Sequence, residues 1–175
     1  MASTDTKDYV HPFFAKEGWL FIGLSIGTLF FSLLFGLQEL ALVSVLISLF
    51  ILQFFRDPKR AGPSDGAAIT SPADGRVIFI GKEIDPLQNS EALKISVFMN
   101  VFNVHSNRSP IEGTVEITDY SSGKFFNADL DKASEFNEKN SILFVDKNGR
   151  KLTCIQIAGL VARRICCYVQ PGDVV

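Results

Sequence analysis

The chain has 175 residues, a net charge of −2 at pH 7 and 47% hydrophobic residues. The net charge is small, and the chain has no basic stripe interleaved with aromatic residues. Both features argue against a nucleic-acid-binding protein. The hydrophobic residues are unevenly distributed. Length and composition therefore predict a hydrophobic segment joined to one globular domain of about 120 residues, which is large enough to bury a core.

Residues 1–18 form a polar N-terminal segment. They lack the compact basic region of a signal peptide, and no clear small-residue cleavage site follows the apolar run. The segment is therefore predicted to be a mature N-terminus.

Residues 19–55 contain one ionisable side chain, Glu39. They divide into two apolar blocks, 19–35 and 40–55, each long enough for a helix of about 25 Å, slightly less than a hydrocarbon core of about 30 Å. The blocks predict a hairpin that spans the membrane or enters one leaflet, with both chain ends on the same side. A single kinked helix is disfavoured because Glu39 would lie at its centre. A buried hairpin in a soluble protein is disfavoured because so small a domain could not cover it.

Residues 56–67 are predicted to be a basic exit from the hydrophobic segment, followed by a linker rich in Gly, Pro and Ser. The sequence FFRDPKR at 54–60 places aromatic and basic residues where a membrane interface favours them. The positive-inside tendency then predicts that the exit lies on the cytoplasmic face.

Residues 68–175 have the pattern of a β-rich domain. The predicted strands are 76–81, 93–101, 113–120, 141–145, 151–159 and 164–169. Asn148-Gly149 is a strong hairpin signal, whereas 127–140 is at most a short surface helix or an ordered loop. The predicted fold class is mainly β, a compact sandwich or barrel of the lipoyl-like barrel-sandwich type, preceded by the helical hairpin.

The cysteines and histidines do not suggest a metal site. Cys154, Cys166 and Cys167 are predicted to be reduced thiols buried in strands, because adjacent cysteines rarely bridge each other and no CxxC occurs. This composition fits a reducing compartment such as the cytosol. The two histidines, His11 and His105, lie far apart, so no zinc site is predicted.

The candidate chemistry rests on an aspartate and a histidine. The absence of GxGxxG, P-loop, GxSxG and HExxH motifs disfavours dinucleotide, phosphate-loop and zinc-hydrolase chemistry. His105 follows a predicted strand beside Asn103, Asn107 and Arg108, and Asp74 lies in a tight turn. An Asp that orients a His leaves the other ring nitrogen free to take a proton from a hydroxyl. Taken alone, Asp74 is more typical of a simple Asp-Gly turn, and His105 can equally be a structural loop residue.

A second interpretation is a membrane-tethered lipoyl-like carrier. Asp131-Lys132-Ala133 is similar to the modified lysine hairpin of such carriers, and the strand pattern ending in PGDVV suits their barrel. Lys132 lies in a polar stretch rather than between alternating strands, which disfavours its modification.

Five segments in order resemble phosphatidylserine decarboxylase in its short, membrane-associated form. They are FFRDPKR (54–60), SPADGRV (71–77), VFMNVFNVHSNRSPIEG (97–113), GKFFNADLDKASEFNEKN (123–140) and QIAGLVARRI (156–165). The resemblance implies a proenzyme in which the serine of a Gly-Ser pair attacks the preceding carbonyl. The chain then splits and the serine becomes an N-terminal pyruvoyl group.

The resemblance also implies the roles of individual residues. Asp74 and His105 match the positions that activate the serine, and Phe102 stands where longer members carry a second histidine. The pyruvoyl group serves as the electron sink for decarboxylation of phosphatidylserine to phosphatidylethanolamine, with His105 as the proton donor. Phe98 and Phe102 could desolvate the departing carboxylate. Asn107 or Arg108 could hold the lipid phosphate, although a loop ion pair is an equal alternative for Arg108.

The sequence contains no Gly-Ser pair. We therefore expect the chain to be the larger β subunit of the proenzyme, inactive without a separate α subunit that carries the pyruvoyl group. Its other expected partners are phosphatidylserine and membrane lipid, and a homo-oligomer is compatible with the sequence. An inactive scaffold relative is a third alternative.

Overall fold

The computed structural model describes residues 13–63, 68–126 and 136–175. The predicted N-terminal segment and linker lie partly outside these residues, as does most of the polar stretch that includes Lys132. The chain forms two compact units. The helical unit contains the described residues up to Gly62 together with Met99–Asn107, and the strand unit contains those of Pro63–Phe98 and Arg108–Val175.

The helical unit is built on an antiparallel pair of helices, which confirms the predicted hairpin. A 3-10 turn, Lys16–Gly18, leads into α1 (Trp19–Leu34), and α2 is Gln38–Phe54. The connection between them has Gly36 at a φ of +65°, a conformation that glycine adopts without steric cost. Leu37 N–H donates to the Ser32 carbonyl and Gly36 N–H to the Leu33 carbonyl, a Schellman motif that satisfies the end of α1.

The boundary of α2 corrects one expectation. Residues 36–39 were expected to connect the two apolar blocks, but Gln38 and Glu39 belong to the first turn of α2. The helix dipole explains the difference, since a carboxylate is favourable at a helix N-terminus.

Small side chains lie between the two helices. The buried residues are Ser25, Ser32, Ala41, Ser44 and Ser48. Gly23 and Gly27 form a GxxxG, but a Cβ added at either would meet no atom within 4 Å apart from the backbone of its own helix, so this pair is not the packing face of the hairpin. The large apolar side chains of both helices point outward, and several are more than 60% exposed, including Trp19, Phe30 and Leu46.

The entry to α1 and the exit from α2 pair with each other. Ala15 N–H donates to the Phe55 carbonyl at 2.8 Å, Asp57 N–H donates to the Phe13 carbonyl at 2.8 Å, and Phe14 and Arg56 form an antiparallel bridge. Both ends of the hairpin are therefore at the same end of the helix pair, as predicted.

Among the residues that the structure describes, one helix could cross a membrane by length and composition. The helical stretch Lys16–Leu34 has a mean hydropathy of 1.6, and only 17% of its apolar window is buried, unlike the core helix of a soluble protein. The Gln38–Phe54 helix is apolar but shorter.

The strand unit contains two antiparallel sheets. β1 (Arg76–Ile84) pairs with β2 (Glu91–Phe98). In the second sheet β4 (Lys139–Asp146) lies between β3 (Gly113–Ser121) and β5 (Lys151–Ile157). The strands confirm a mainly β fold, and in the described part of the chain the two sheets are open rather than closed into a barrel.

The core lies on the three-stranded sheet. Ile142 and Phe144 of β4 pack with Val115 of β3 and with Ile111, each at most 7% exposed. Leu143 points to the opposite face and is only 2% exposed. Burial of consecutive residues on both faces is expected for a central strand.

The predicted strand at 164–169 is wrong. These residues form no strand. Instead the chain turns at Gly172, whose φ is +95°, and its last residues pair with β3. Gly113 and Val175 exchange two backbone hydrogen bonds of 3.0 and 2.9 Å, and Val115 N–H donates to the Asp173 carbonyl at 2.9 Å.

The cysteines are free, but only one of them lies in a strand. Cys154 is in β5, where burial raises the pKa of its thiol to about 11, so the thiol is protonated and unreactive at neutral pH. Cys166 and Cys167 lie outside the strands and Cys167 is exposed, which corrects the expectation that all three are buried in strands.

Candidate functional site

The loop Met99–Asn107, which carries His105, is held by its own asparagine side chains. Asn100 Oδ1 accepts a hydrogen bond from Phe102 N–H, and Asn103 Oδ1 accepts one from Asn100 N–H, both at 2.8 Å. Asn103 N–H also donates to the Asn100 carbonyl at 3.0 Å. Such local bonds define the loop without help from a strand partner.

The imidazole of His105 is fixed at one nitrogen. Its Nδ1 lies 3.1 Å from the Asn103 carbonyl oxygen. A carbonyl oxygen only accepts, so Nδ1 carries the proton in this contact and the neutral ring has its lone pair at Nε2. The loop thereby selects the tautomer in which Nε2 can accept a proton.

The other support of the imidazole is aromatic. The Phe54 ring at the end of α2 lies 4.2 Å from the His105 ring, centroid to centroid, at an interplanar angle of 31°. Burial lowers the pKa of His105 and the charge of Arg56 acts in the same direction, whereas the hydrogen bond to Asn103 opposes them. The net shift keeps the imidazole neutral, and able to act as a base, to lower pH than an exposed histidine.

Two side chains from the end of α2 hold the same loop. Gln53 Nε2 and Arg56 Nη2 both donate to the Phe102 carbonyl, at 2.7 and 2.9 Å. Arg56 Nη1 also donates to the Gln53 carbonyl at 2.6 Å. The guanidinium therefore joins the last turn of α2 to the backbone of the histidine loop.

The remaining predicted residues of the helical unit have other contacts. The Phe102 side chain is 67% exposed, so its carbonyl rather than its ring is engaged. Asn107 Nδ2 approaches the Met99 sulfur at 3.7 Å, a weak contact within the loop.

Asp74 lies in the strand unit, in a bend immediately before β1. The bend packs closely on the end of β2: a Cβ at Gly75 would lie 2.3 Å from the Phe98 carbonyl oxygen and 2.9 Å from Val97 Cγ1. Only glycine fits here without movement of the backbone. The glycine at position 75 therefore allows the Asp-Gly turn to pack against the end of β2.

The segment before Asp74 is paired with the segment that follows His105. Thr70 N–H donates to the Pro110 carbonyl at 2.8 Å, and Arg108 N–H donates to the Pro72 carbonyl at 2.9 Å. Arg108 is thus anchored through its backbone to the turn segment. Asp74 and His105 themselves belong to different units, and their pairing remains a prediction.

The helix residues that support His105 were not predicted from the sequence, although Asn103 was named beside it. Gln53, Phe54 and Arg56 all contact its loop, yet the aromatic-basic sequence at the end of α2 was assigned only to the lipid interface. Asparagines are a local signal for a turn braced by its own side chains, as Asn100 shows by accepting a hydrogen bond from Phe102 N–H two residues on. No local pattern indicates the contact with α2. Within 13–63, 68–126 and 136–175, no three His, Cys, Asp or Glu side chains cluster closely enough to hold a metal ion.

The fold and this site define a mainly β protein with an N-terminal apolar helix pair, in which the end of the second helix supports a histidine loop. A family model described as phosphatidylserine decarboxylase matches residues 47–175. The chain belongs to the phosphatidylserine decarboxylase family.

Curated relatives named phosphatidylserine decarboxylase proenzyme match along nearly the whole chain. The Ralstonia pickettii protein is 51% identical over 167 residues, which are 95% of this chain and 77% of the relative. The Nitrosomonas eutropha protein is 49% identical over 168 residues, 96% of this chain and 78% of the relative. The Cupriavidus metallidurans protein is 52% identical over 168 residues, with 95% and 77% covered.

Proposed function

We propose that this chain is the larger part of an enzyme that decarboxylates phosphatidylserine to phosphatidylethanolamine and CO2, after cleavage of a proenzyme. The observation that carries the proposal is the half-buried, tautomer-selected imidazole of His105, in a chain of this family. The carrier alternative is not favoured, because the family match covers 47–175 and the named relatives are decarboxylase proenzymes.

The proposed cofactor is a pyruvoyl group formed from a serine outside this sequence, on a partner chain from the same precursor. The residues present fit such a group. Gln53 Oε1 is buried and accepts no hydrogen bond within the described part of the chain, so it can accept one from the amide N–H beside the group. The group supplies an electron sink to which the amine of the lipid binds.

In self-cleavage, His105 acts as the base. Its Nε2 takes the proton of the serine hydroxyl while Nδ1–H stays bound to the Asn103 carbonyl, which holds the ring in place. Because Nδ1–H is held by Asn103, the Asp74 carboxylate is proposed to stabilise the resulting imidazolium by its negative charge and not by a hydrogen bond to the ring. The backbone bonds of Thr70 and Arg108 support this assignment, since they hold the turn beside the segment that follows His105.

In turnover, Nε2 takes a proton from the ammonium group of the lipid as its amine binds, and donates that proton to the carbon from which CO2 has left. A lowered pKa makes the protonated imidazole a stronger acid, which favours this transfer. Phe98 and Phe102 are proposed to exclude water from the carboxylate of the substrate. Arg108 or Asn107 is proposed to bind the lipid phosphate.

The proposed domain organisation follows from these roles. Residues 1–18 precede a membrane hairpin at 19–55, a basic exit and linker at 56–67, and a catalytic domain at 68–175. The hairpin holds the catalytic domain on the cytoplasmic face of the membrane, whether it spans the bilayer or enters one leaflet. The two open sheets are proposed to form a barrel-sandwich together with the partner chain.

The test uses the full-length proenzyme with its natural C-terminal part. His105→Ala and Asp74→Ala should each leave an uncleaved precursor on denaturing gels, because the serine hydroxyl loses its base or the support of that base. His11→Ala is the matched control, as it removes the other histidine, and it should be cleaved normally. Cleavage of His105→Ala at the wild-type rate contradicts the proposed role.

A further inference from the structure

The last turn of α2 has a second set of contacts besides those with α1. Gln53 and Phe54 of this turn, and Arg56 just beyond it, all reach the histidine loop, each by a different type of contact. These are a side-chain amide to a carbonyl, a ring against a ring, and a guanidinium to a carbonyl. A helix end that served only as a lipid anchor would not require three contacts with one loop.

The two hydrogen bonds meet at one oxygen. Gln53 Nε2 and Arg56 Nη2 lie 2.7 and 2.9 Å from the Phe102 carbonyl oxygen, which uses both of its lone pairs. The Arg56 guanidinium also bonds the Gln53 carbonyl, so the donor groups are themselves fixed to the helix. The backbone three residues before His105 therefore cannot shift without the loss of both bonds.

The ring contact acts on the imidazole directly. The planes of Phe54 and His105 are 31° apart with a centroid separation of 4.2 Å, which limits rotation of the imidazole about its side-chain bonds. The hydrogen bond from Nδ1 to Asn103 fixes the remaining orientation. The direction of Nε2 is therefore set jointly by the loop and by α2.

We propose that the end of α2 is a positioning element for His105, in which Phe54 orients the imidazole and Gln53 and Arg56 fix the loop that carries it. This inference rests on the proposed role of His105 in proton transfer. It gives the hydrophobic hairpin a second function, because the helix that contacts lipid also determines where the base points. Phe54, Arg56 and the Nε2 group of Gln53 act through His105 and are therefore positioning groups, whereas Gln53 Oε1 is the atom proposed to face the pyruvoyl amide.

The test measures self-cleavage and turnover in the full-length proenzyme, with vesicles of phosphatidylserine and phosphatidylcholine as substrate. Phe54→Leu and Gln53→Ala should each slow self-cleavage by roughly 10- to 100-fold, the loss expected from a small misplacement of a reacting group. Phe54→Tyr keeps the ring and should restore the rate. In any enzyme that matures, Phe54→Leu should lower kcat and leave KM for the lipid unchanged, because substrate binding does not depend on the imidazole.

The matched control is Phe31→Leu. It removes a ring contact of similar length, 4.5 Å to Phe35, from the same helix pair. This variant should match the wild type in cleavage and turnover. Phe54→Leu and Phe31→Leu should have similar melting temperatures and the same association with vesicles, which separates positioning from loss of structure.

Each other outcome decides between the two proposals. Normal cleavage of Phe54→Leu and Gln53→Ala, together with a block in His105→Ala, overturns the positioning role and leaves the proposed function intact. Equally slow self-cleavage of Phe54→Leu and Phe54→Tyr, with a lowered melting temperature in both, also overturns the positioning role. Phe54 would then have a purely structural role. Normal cleavage of His105→Ala overturns the proposed function itself.

Discussion

The imidazole of His105 lies against the ring of Phe54, with 4.2 Å between the ring centroids. The two residues come from different parts of the chain, one from the end of an apolar helix and the other from a loop after β2. Their contact places the histidine loop in the same compact unit as the helix pair. The acid-base behaviour of His105 consequently depends on the groups at the helix end.

The charge of Arg56 should influence the pH dependence of self-cleavage. The pKa of His105 is lowered by burial and further by Arg56. Arg56→Gln removes the positive charge, so the pKa of His105 should rise. As the pH falls, the imidazole should then become protonated, and cease to act as a base, at a higher pH than in the wild type. The acidic limb of the cleavage rate should therefore move to higher pH, as measured in a series of buffers at constant ionic strength.

Arg60→Gln is the control for this experiment. It removes a cation from the same exit segment, and Arg60 is not among the groups that shift the pKa of His105. Its acidic limb should coincide with that of the wild type. If the acidic limb of the Arg56→Gln profile coincides with that of the wild type or moves to lower pH, that limb does not report the titration of His105.

The Asp74 turn should not tolerate a side chain at Gly75. Gly75→Ala would place a Cβ 2.3 Å from the Phe98 carbonyl oxygen, so the backbone of the turn must move. We expect an uncleaved precursor on denaturing gels, because Asp74 moves with the turn. Gly62→Ala is the control, since its Cβ would meet nothing within 4 Å. Normal cleavage of Gly75→Ala would show that the position of Asp74 is not critical.

The centre of β4 should dominate the stability of the strand unit. Leu143 is 2% exposed, so Leu143→Ala should lower the free energy of unfolding by about 2–5 kcal/mol through lost burial and a cavity. Leu93→Ala makes the same change where the side chain is 67% exposed. It should alter stability by no more than about 0.5 kcal/mol. Denaturant unfolding of the purified proteins measures both, and equal effects would contradict the assignment of the core.

The β4–β5 turn should contribute to acid stability. Asp146 accepts hydrogen bonds from Arg150 Nε at 2.6 Å, Arg150 N–H at 2.7 Å and Asn148 N–H at 2.9 Å. Burial raises the pKa of Asp146, but these bonds outweigh it, and the net shift is below the ordinary value of 3.8. A depressed carboxyl pKa stabilises the fold above the unfolded-state pKa, and this contribution is lost as the pH falls through the folded-state pKa.

Asp146→Asn should therefore lower the melting temperature at pH 7, and the difference from the wild type should shrink below pH 3.8. Asp119→Asn, on an exposed position of β3, is the control and should have little effect. A difference between Asp146→Asn and the wild type that is constant from pH 7 to pH 3 would contradict this role of the carboxylate.

Local pattern predicted much of the fold. The hairpin followed from two apolar blocks separated by a glycine, and five strands followed from alternation and turn residues, since these features depend on neighbouring residues alone. The strand at 164–169 was wrong because a strand also needs a partner, and alternation within one segment does not show whether it pairs with another. The last residues pair with β3 because the chain turns at Gly172. The sequence pattern around Gly172 predicts a turn but does not show which strand the following residues will meet.

The candidate site was predictable only in part. His105 and Asp74 could be named from residue chemistry and family resemblance, because both are ionisable groups in turn or loop segments. The supports of His105 could not, because Gln53, Phe54 and Arg56 contact it only after the loop folds against α2. An aromatic-basic run at a helix end fits a lipid interface equally well. The contact with the loop is a property of the tertiary structure.

The central claim is that this chain provides the proton-transfer residue of a phosphatidylserine decarboxylase. Its most direct test incubates the full-length, self-cleaved protein with vesicles that contain phosphatidylserine labelled in the serine carboxyl group. Release of labelled CO2 in equal amount to phosphatidylethanolamine is the predicted result, and the uncleaved His105→Ala protein should release none. Complete self-cleavage without any release of CO2, or equal release by His105→Ala, would contradict the account.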